Sequence, residues 1–155
     1  MIKIIKILID RRNKNANNFF CVNSNFDAFP MLKHLHIQNY SLIEQLDLHL
    51  TGGLTVITGE TGAGKSILLG AISLLLGQRA DSKSLFDATK KCIIEGQFSL
   101  ESFPHLQTVF EEEEIDFEEP CLIRREINPQ GKSRSFVNDT PVTLETLKRI
   151  GNELV

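Results

Sequence analysis

Eight residues in the first half of the chain have the types and the spacing of a phosphate-binding loop. They fit G-x-x-x-x-G-K-[ST] at every fixed position, and they are Gly59, Glu60, Thr61, Gly62, Ala63, Gly64, Lys65 and Ser66. Glycine lets the backbone approach a phosphate closely, and successive N–H groups can form an anion-binding nest. Lys65 would reach the β- and γ-phosphates of a nucleotide, and Ser66 Oγ would bind Mg²⁺. The alternative is an ordinary glycine-rich turn.

The flanking sequence predicts the elements that would position this loop. Residues 54–58 are apolar and β-branched, which predicts a buried strand. Residues 67–76 are almost uninterrupted apolar residues without proline, which predicts a buried helix that ends near Gly77. The N-terminus of that helix would add partial positive charge beside the phosphate. Strand, glycine loop and helix in this order indicate a P-loop nucleotide-binding protein of the α/β class.

The composition is that of a globular domain and excludes several other classes of protein. The chain has 155 residues, of which 41% are hydrophobic and 24% charged, enough for one domain with a real core. Its net charge of −3 is not the basic footprint of a dedicated nucleic-acid binder. The three cysteines are scattered, with no C-x-x-C pair, which favours reduced thiols in the cytoplasm. No segment approaches the roughly 18 apolar residues of a membrane span.

Residues 1–30 differ from the rest of the chain. Ile, Lys, Asn and Phe occupy 18 of these 30 positions, and residues 11–18 have no apolar period. We interpret residues 1–30 as an atypical leader that is disordered or adds an edge strand, with Met31 as a possible true start. Residues 31–155 carry 12 basic and 18 acidic residues, a net charge of −6. Any contact with DNA would therefore need a local basic patch.

Two amphipathic strands are predicted before the loop. Residues 32–38 alternate, with Leu35 and Ile37 on one face. A second alternation predicts another half-buried strand through Leu42, Leu46, Leu48 and Leu50. Later segments are predicted as strands at residues 92–98, 121–127 and 132–138, a turn at residues 128–131, and helices that follow Pro104 and Thr143. The two polar-faced strands before the apolar strand at residues 54–58 suggest an antiparallel subsheet joined to a buried core sheet.

Three groups of charged or ligating residues lie outside the loop. Four cations surround the predicted hairpin, where they could meet DNA phosphates or pair across the strands with Glu126, and they are Arg124, Arg125, Lys132 and Arg134. His34 and His36 share a strand face, but no third metal ligand is evident. The seven carboxylates of residues 111–119 indicate a solvated helix end and loop.

The second acidic element of a complete ATPase site is not found. Such a site needs an apolar strand that ends in Asp, to hold Mg²⁺ and position the attacking water. Residues 84–87 are too short a segment, and residues 111–119 lack a preceding apolar strand. A signature loop of the Ser-Gly-Gly type is absent too. The chain therefore contains half of a catalytic site, and we expect it not to hydrolyse ATP alone.

The motifs together resemble the N-terminal head segment of the RecN family of bacterial DNA repair proteins. The resemblance covers about residues 31–155, and the matching segments are residues 35–43 (LHIQNYSLI), 53–67 (GLTVITGETGAGKSI), 75–80 (LLGQRA), 123–127 (IRREI), 131–135 (GKSRS) and 137–138 (VN). It implies an SMC-like ATPase of double-strand-break repair and recombination. Its ABC-class head would have two lobes, separated in sequence by a long antiparallel coiled coil.

The resemblance also implies cofactors, partners and further site residues. ATP with Mg²⁺ would be sandwiched between two heads, so that the signature loop of one completes the site of the other. The partners would be the C-terminal lobe of the same head, a second head and DNA, in the cytoplasm at the nucleoid. Asn39, Tyr40 and Ser41 would lie near the base or ribose. The Q-loop, coiled coil, signature, Walker B and switch histidine are lacking, so this segment corresponds to an incomplete lobe I with a mixed sheet and a buried P-loop helix.

Two other functions are compatible with the motif. A small phosphotransferase such as a nucleotide kinase uses the same loop, but it would need acceptor-site arginines and a lid, and two polar-faced strands before the loop do not suit it. A non-catalytic interaction module would use the acidic domain only to dock onto a partner lobe. Replacing Lys65 by alanine distinguishes these hypotheses. It should abolish nucleotide binding by an ATPase head or a kinase, and it should alter nothing in an interaction module.

Overall fold

One antiparallel sheet and three helices make up the described part of the chain. The computed structural model describes residues 32–50, 63–80 and 85–154. The strands are β1 (Leu32–Tyr40), β2 (Ile43–His49), β3 (Cys92–Phe98), β4 (Cys121–Ile127), β5 (Ser133–Val137) and β6 (Thr140–Val142). The helices are α1 (Ala63–Leu75), α2 (Leu106–Glu112) and α3 (Leu144–Glu153). Helix α1 packs against β3 and β4, and α3 packs against β5 and α2.

The strand order is β2-β1-β3-β4-β5-β6, and every neighbouring pair is antiparallel. This confirms the predicted antiparallel subsheet. The predicted strand at residues 54–58, which would make the sheet mixed, lies outside the described residues, as do residues 59–62 and the leader.

Period-2 alternation decides which strand residues enter the core. Leu35 and Ile37 of β1 are fully buried, as the pattern predicted. In β2, Leu46 and Leu48 are buried, but the prediction for Leu42 was wrong, since its side chain is 70% exposed. The chain turns at Ser41, which has a φ of 54°, and β2 begins only after Leu42. Leu42 therefore belongs to the turn rather than to the strand face.

Strand β6 was not predicted from the sequence. It follows β5 through a two-residue turn in which Asn138 and Asp139 have φ values of 46° and 61°. Positive φ at both central residues suits the right-handed twist of a hairpin, and Asn and Asp tolerate it better than most residues. The Asn-Asp pair was the available signal. Pro141 is compatible with β6 because this strand lies at the edge of the sheet.

The thiols in the described residues are structural. Cys92 and Cys121 are fully buried and unpaired, as predicted. Burial raises the pKa of each thiol to about 12, so both stay protonated and unreactive.

Helix α1 ends in the way that the sequence predicted. Gly77 has a φ of +88°, and its N–H donates to the carbonyl of Leu74 at 3.2 Å. The N–H of Gln78 donates to the carbonyl of Ser73 at 3.0 Å. These two bonds form a Schellman motif, which satisfies carbonyls that the last turn would leave open. The end of α1 is therefore fixed at one residue.

Helix α3 meets this end of α1 backbone to backbone. Thr143 caps α3 as predicted, since its side chain accepts the N–H of Thr146 at 3.1 Å. A Cβ placed on Gly77 would lie 2.6 Å from the Cα of Lys148, and a Cβ placed on Gly151 would lie 2.7 Å from the carbonyl oxygen of Leu76. Only glycine fits at either position, so the approach of α3 fixes α1 further.

We predict that Gly151→Ala destabilises the chain by about 1–3 kcal/mol, because the added methyl meets backbone that cannot rotate away. Alanine in an unconstrained helix would stabilise by about 1 kcal/mol, so the sign of the change is informative. Urea unfolding measures it. The control is Asn152→Ala, an exposed neighbour on the same helix, for which we expect a change within about 0.5 kcal/mol. A stabilised Gly151→Ala variant would contradict the close packing.

Candidate nucleotide-binding site

The last four positions of the phosphate-loop motif form the first turn of α1, which begins at Ala63. Residues 59–62 lie outside the described residues. Gly64 and Lys65 are half-buried, and Ser66 is exposed. The first turn carries no acidic side chain that would neutralise the positive end of the helix dipole. This end of α1 is therefore suited to an anion.

Tyr40 connects the end of β1 to α1. Its side chain is 8% exposed, and a Cβ placed on Gly70 would lie 2.8 Å from its hydroxyl oxygen. Gly70 follows Ser66 by one helical turn and so lies on the same helix face. Burial, and then the neighbouring Cys92, raise the pKa of the Tyr40 hydroxyl. The structure thus brings the end of β1 within one helical turn of Ser66.

Asn39 uses both ends of its side-chain amide inside the protein. Its Nδ2 donates to the carbonyls of Asp87, Lys90 and Lys91 at 3.0, 2.9 and 3.3 Å. Its Oδ1 accepts the N–H of Asp87 at 2.6 Å. Asn39 is 5% exposed and has a φ of 58°, which turns the side chain toward this segment. The amide holds residues 87–91 against β1, and its predicted contact with base or ribose remains a prediction, as does that of half-buried Ser41.

The turn at residues 87–91, which Asn39 holds, was not predicted from the sequence. Its local signal was Asp87-Ala88-Thr89, since Asp87 Oδ1 accepts the N–H of Thr89 at 2.9 Å and its hydroxyl at 2.6 Å. The hydroxyl and N–H of Thr89 lower the pKa of Asp87. The turn could be inferred from these residue types, but its attachment to Asn39 could not, because 48 residues separate the partners.

We predict that Asn39→Asp destabilises the chain by about 1–3 kcal/mol or more, although the side chain keeps its shape and tolerates the same φ. The variant replaces a donor by a carboxylate oxygen that faces three carbonyls. Urea unfolding and limited proteolysis within residues 85–91 measure the effect, and Gln38→Ala, at an exposed neighbouring position, is the control. Wild-type stability and protease resistance of Asn39→Asp would show that the amide does not hold this segment.

The structure removes Arg125 from the predicted basic surface patch. Arg125 is fully buried, because residues 121, 123, 125 and 127 of β4 share the inner face of the sheet. Its Nη1 donates to the carbonyls of Leu74 and Gln78, each at 3.4 Å, and its Nη2 donates to Ser133 Oγ at 3.2 Å. A fully buried guanidinium cannot meet DNA. The signal was available, since strand alternation places Arg125 with Ile123 and Ile127.

Arg124 faces the other side of the sheet, where carboxylates surround it. Its guanidinium lies 3.1 Å from Asp139, 3.7 Å from Glu95 and 3.8 Å from Glu126. The same group stacks over the ring of Phe136 at 4.6 Å. The contact with Glu95 crosses from β4 to β3, whereas Glu126, the predicted cross-strand partner, lies on the same strand as Arg124. Of the four predicted cations, Lys132 and Arg134 are the exposed ones.

The two predicted strand-face histidines converge on one carboxylate. His36 Nδ1 lies 2.8 Å from Asp47 Oδ1, and His34 Nε2 lies 3.4 Å from the same oxygen. The ring of His34 stacks on that of His49, with centroids 4.3 Å apart. The hydrogen bond between His36 and Asp47 lowers the pKa of the Asp47 carboxyl. Within the described residues, no three side chains are arranged to hold a metal ion.

The acidic run at residues 111–119 is largely exposed, as predicted, but several of its carboxylates make specific contacts. Glu112 and Glu113 lie 2.6 and 3.4 Å from the guanidinium of Arg149 and so connect the end of α2 to α3. Glu119 accepts the N–H of Leu100 at 2.6 Å. Burial alone would raise the pKa of Glu119, but this bond and those from Lys33 and Ser99 lower it overall. The run thus serves partly as structural acceptors.

Comparison with known proteins gives one family and one fold. A sequence profile described as an AAA domain matches residues 34–150. The DNA repair protein RecN of Haemophilus influenzae is 42% identical over 128 residues, which are 81% of this chain and 23% of that protein. RecN of Bacillus subtilis is 44% identical over 126 residues, 81% of this chain and 22% of that protein. The chain thus spans less than a quarter of the length of these relatives.

Among solved structures, an SMC ATPase described for ATP-driven dimerization and DNA-stimulated activation has a TM-score of 0.63 with this chain. The match covers 81% of this chain and 80% of that chain at 22% identity, so it shows the fold alone. None of the helices among the described residues is long and apolar enough to cross a membrane.

Proposed function

Given that this chain belongs to the AAA domain family and is the N-terminal segment of a RecN-like, SMC-type ATPase head, we propose that it binds ATP with Mg²⁺ at residues 59–66. The observation that carries the proposal is the start of α1 within the motif. There the first turn has no acidic side chain and the helix is anchored at its other end. A phosphate at this turn would be stabilised by the backbone N–H groups of the turn and by the helix dipole.

Each residue of the loop has a distinct role in this proposal. The glycines allow the backbone to enclose the β- and γ-phosphates, Lys65 neutralises charge on them, and Ser66 binds Mg²⁺ through its hydroxyl. Tyr40, whose hydroxyl lies against Gly70 one helical turn beyond Ser66, is a candidate for a contact with the nucleoside. Asn39 and Ser41 act first by shaping the turn that presents Tyr40, since both have positive φ.

The nucleotide site of this segment is incomplete by itself. Hydrolysis requires an acidic group that positions water and completes the Mg²⁺ site, and the sequence offers no strand-borne candidate. We assign that half of the site to the C-terminal lobe of the same head and to a second head, with ATP between the heads. The chain would act in DNA double-strand-break repair and recombination, in the cytoplasm at the nucleoid.

A nucleotide kinase is not favoured. The relatives at 42% and 44% identity are RecN proteins, and the fold matches an SMC ATPase over most of its length. A non-catalytic docking module is distinguished by experiment, because it needs no nucleotide.

We predict that Lys65→Ala lowers the affinity of the 155-residue chain for MgATP by about tenfold or more, the size expected for losing charge-assisted hydrogen bonds to phosphate. Equilibrium binding of a fluorescent ATP analogue measures it. Lys148→Ala removes an exposed lysine from α3 and should leave the affinity unchanged. Equal affinities of Lys65→Ala and the wild type would favour the docking module, and rapid ATP turnover by the chain alone would contradict the incomplete site.

We further propose that the β4–β5 hairpin contacts DNA phosphates through Lys132 and Arg134. Both are exposed on this hairpin, next to Lys91 and Asn128 in a shallow surface cavity of about 250 Å³. Glu126 is the carboxylate of this cavity, so the local balance is positive. The net charge of the whole chain is −3, so this patch would act locally and its contact would weaken with salt.

We predict that the Lys132→Ala/Arg134→Ala variant binds duplex DNA with a salt slope reduced by about 1–2, because each lost phosphate contact removes about one released counterion. Titrating DNA at several salt concentrations measures the slope. Lys90→Ala removes an exposed lysine that is already paired with Asp87, and it should leave the slope unchanged. An unchanged slope in the double variant would exclude this patch.

A further inference from the structure

Arg125 is a buried cation that holds the end of the phosphate-loop helix. It is the largest fully buried side chain among the described residues. Its Nη1 reaches the carbonyls of Leu74 and Gln78, which lie at and just beyond the C-terminus of α1, each at 3.4 Å. Its Nη2 reaches Ser133 Oγ, on β5, at 3.2 Å. One side chain therefore connects α1 to both strands of the hairpin.

The charge of Arg125 is balanced by the helix rather than by an acid. Within the described residues no carboxylate contacts it, and its Nε has no hydrogen-bond partner. A buried charge of this kind is costly unless it is compensated. The C-terminus of α1 provides partial negative charge, and α1 has no basic residue of its own in its last turn. Arg125 thus supplies from β4 the cation that the helix lacks.

Helix α1 is a short, stiff element with a distinct partner at each end. It contains 13 residues and is about 20 Å long. Its first turn belongs to the phosphate-loop motif, and its last turn is held by Arg125, by the Schellman bonds at Gly77 and by the close approach of Gly151. Axial movement at the C-terminus would displace the N–H groups of the first turn by a similar distance, because a helix of this length shifts as a unit.

We propose that Arg125 is a positioning residue for the nucleotide site. It fixes α1 along its axis, so that the N–H groups at Gly64, Lys65 and Ser66 are held where the phosphates bind. Through Ser133 it also couples the β4–β5 hairpin to that site, so that movement of the hairpin is transmitted to the loop. The inference rests on the proposed binding of ATP, and it adds a residue that lies at the opposite end of the helix from the ligand.

The test compares three variants at neighbouring positions. Arg125→Met keeps the approximate length of the side chain and removes its donors, whereas Arg125→Lys keeps the charge and loses the branched geometry. Arg124→Met is the matched control, since it is the next residue on β4 but faces the opposite side of the sheet. MgATP affinity is measured on the 155-residue chain with a fluorescent ATP analogue and corrected for the folded fraction from urea unfolding.

We expect Arg125→Met to lower the MgATP affinity of the folded chain by about tenfold, within the range of ordinary couplings between sites, with Arg125→Lys intermediate. Arg124→Met should bind as the wild type does. A variant that is less stable but binds MgATP normally once corrected for folding would show that Arg125 only completes the core, and it would overturn the proposal.

A second variant keeps the test decisive if Arg125→Met does not fold. Ser133→Ala removes one acceptor and leaves the guanidinium in place. We expect it to weaken MgATP binding severalfold and to raise the exchange rate of amide hydrogens at residues 67–70 about tenfold relative to Arg124→Met. Unchanged affinity and unchanged exchange in both Ser133→Ala and Arg125→Lys would overturn the coupling.

Failure of the proposed function gives a different result. If the wild-type chain binds no MgATP, the nucleotide proposal fails, and hydrogen exchange alone decides the role of Arg125. Faster exchange at residues 67–70 in the Arg125 and Ser133 variants, but not in Arg124→Met, would support the mechanical link. Faster exchange confined to residues 121–137 would contradict the mechanical link, because the loss of protection would not extend along α1.

Discussion

The position of α1 is the constraint on which the proposed site depends. A phosphate at a helix N-terminus is bound by backbone N–H groups, which have no side-chain freedom with which to adjust. The helix as a whole must therefore lie in the right place. In this chain its C-terminus is held by the left-handed Gly77, by Gly151 of α3 and by the guanidinium of Arg125. Three unrelated contacts thus fix the end of α1 that lies opposite the proposed site.

The arrangement of charges follows from this constraint and from strand geometry. Arg124 and Arg125 are adjacent in sequence and chemically identical, yet one lies among carboxylates on the outer face and the other binds helix carbonyls in the core. A strand sends successive side chains to opposite faces, so one step along β4 changes the partner from an acid to a helix dipole. Counting positive charges along a hairpin therefore overstates its basic surface.

Local signals predicted most of the elements correctly. Alternation gave the buried face of β1 and that of β2 from Leu46 onward, while Thr143 and Gly77 marked a helix start and a helix end. Two of the errors fell where a turn interrupts a pattern. Leu42 continues the apolar alternation of β2 in the sequence, but in the structure it belongs to the turn at Ser41. Strand β6 was not predicted because it has only three residues and includes a proline. Short elements carry too few residues for a period to be visible.

The sequence by itself determined the phosphate-loop motif, most of the strands and the family, because these depend on residue types at fixed spacings. Only the tertiary structure decided what the polar residues near the loop contact. Asn39 meets a segment 48 residues away, and Arg125 meets the end of α1 about 50 residues away. Hydrogen bonds between distant segments leave no periodic trace in a sequence, since either partner alone is compatible with solvent. The fold brings them together, and it anchors α1 at the end opposite the phosphate-loop motif.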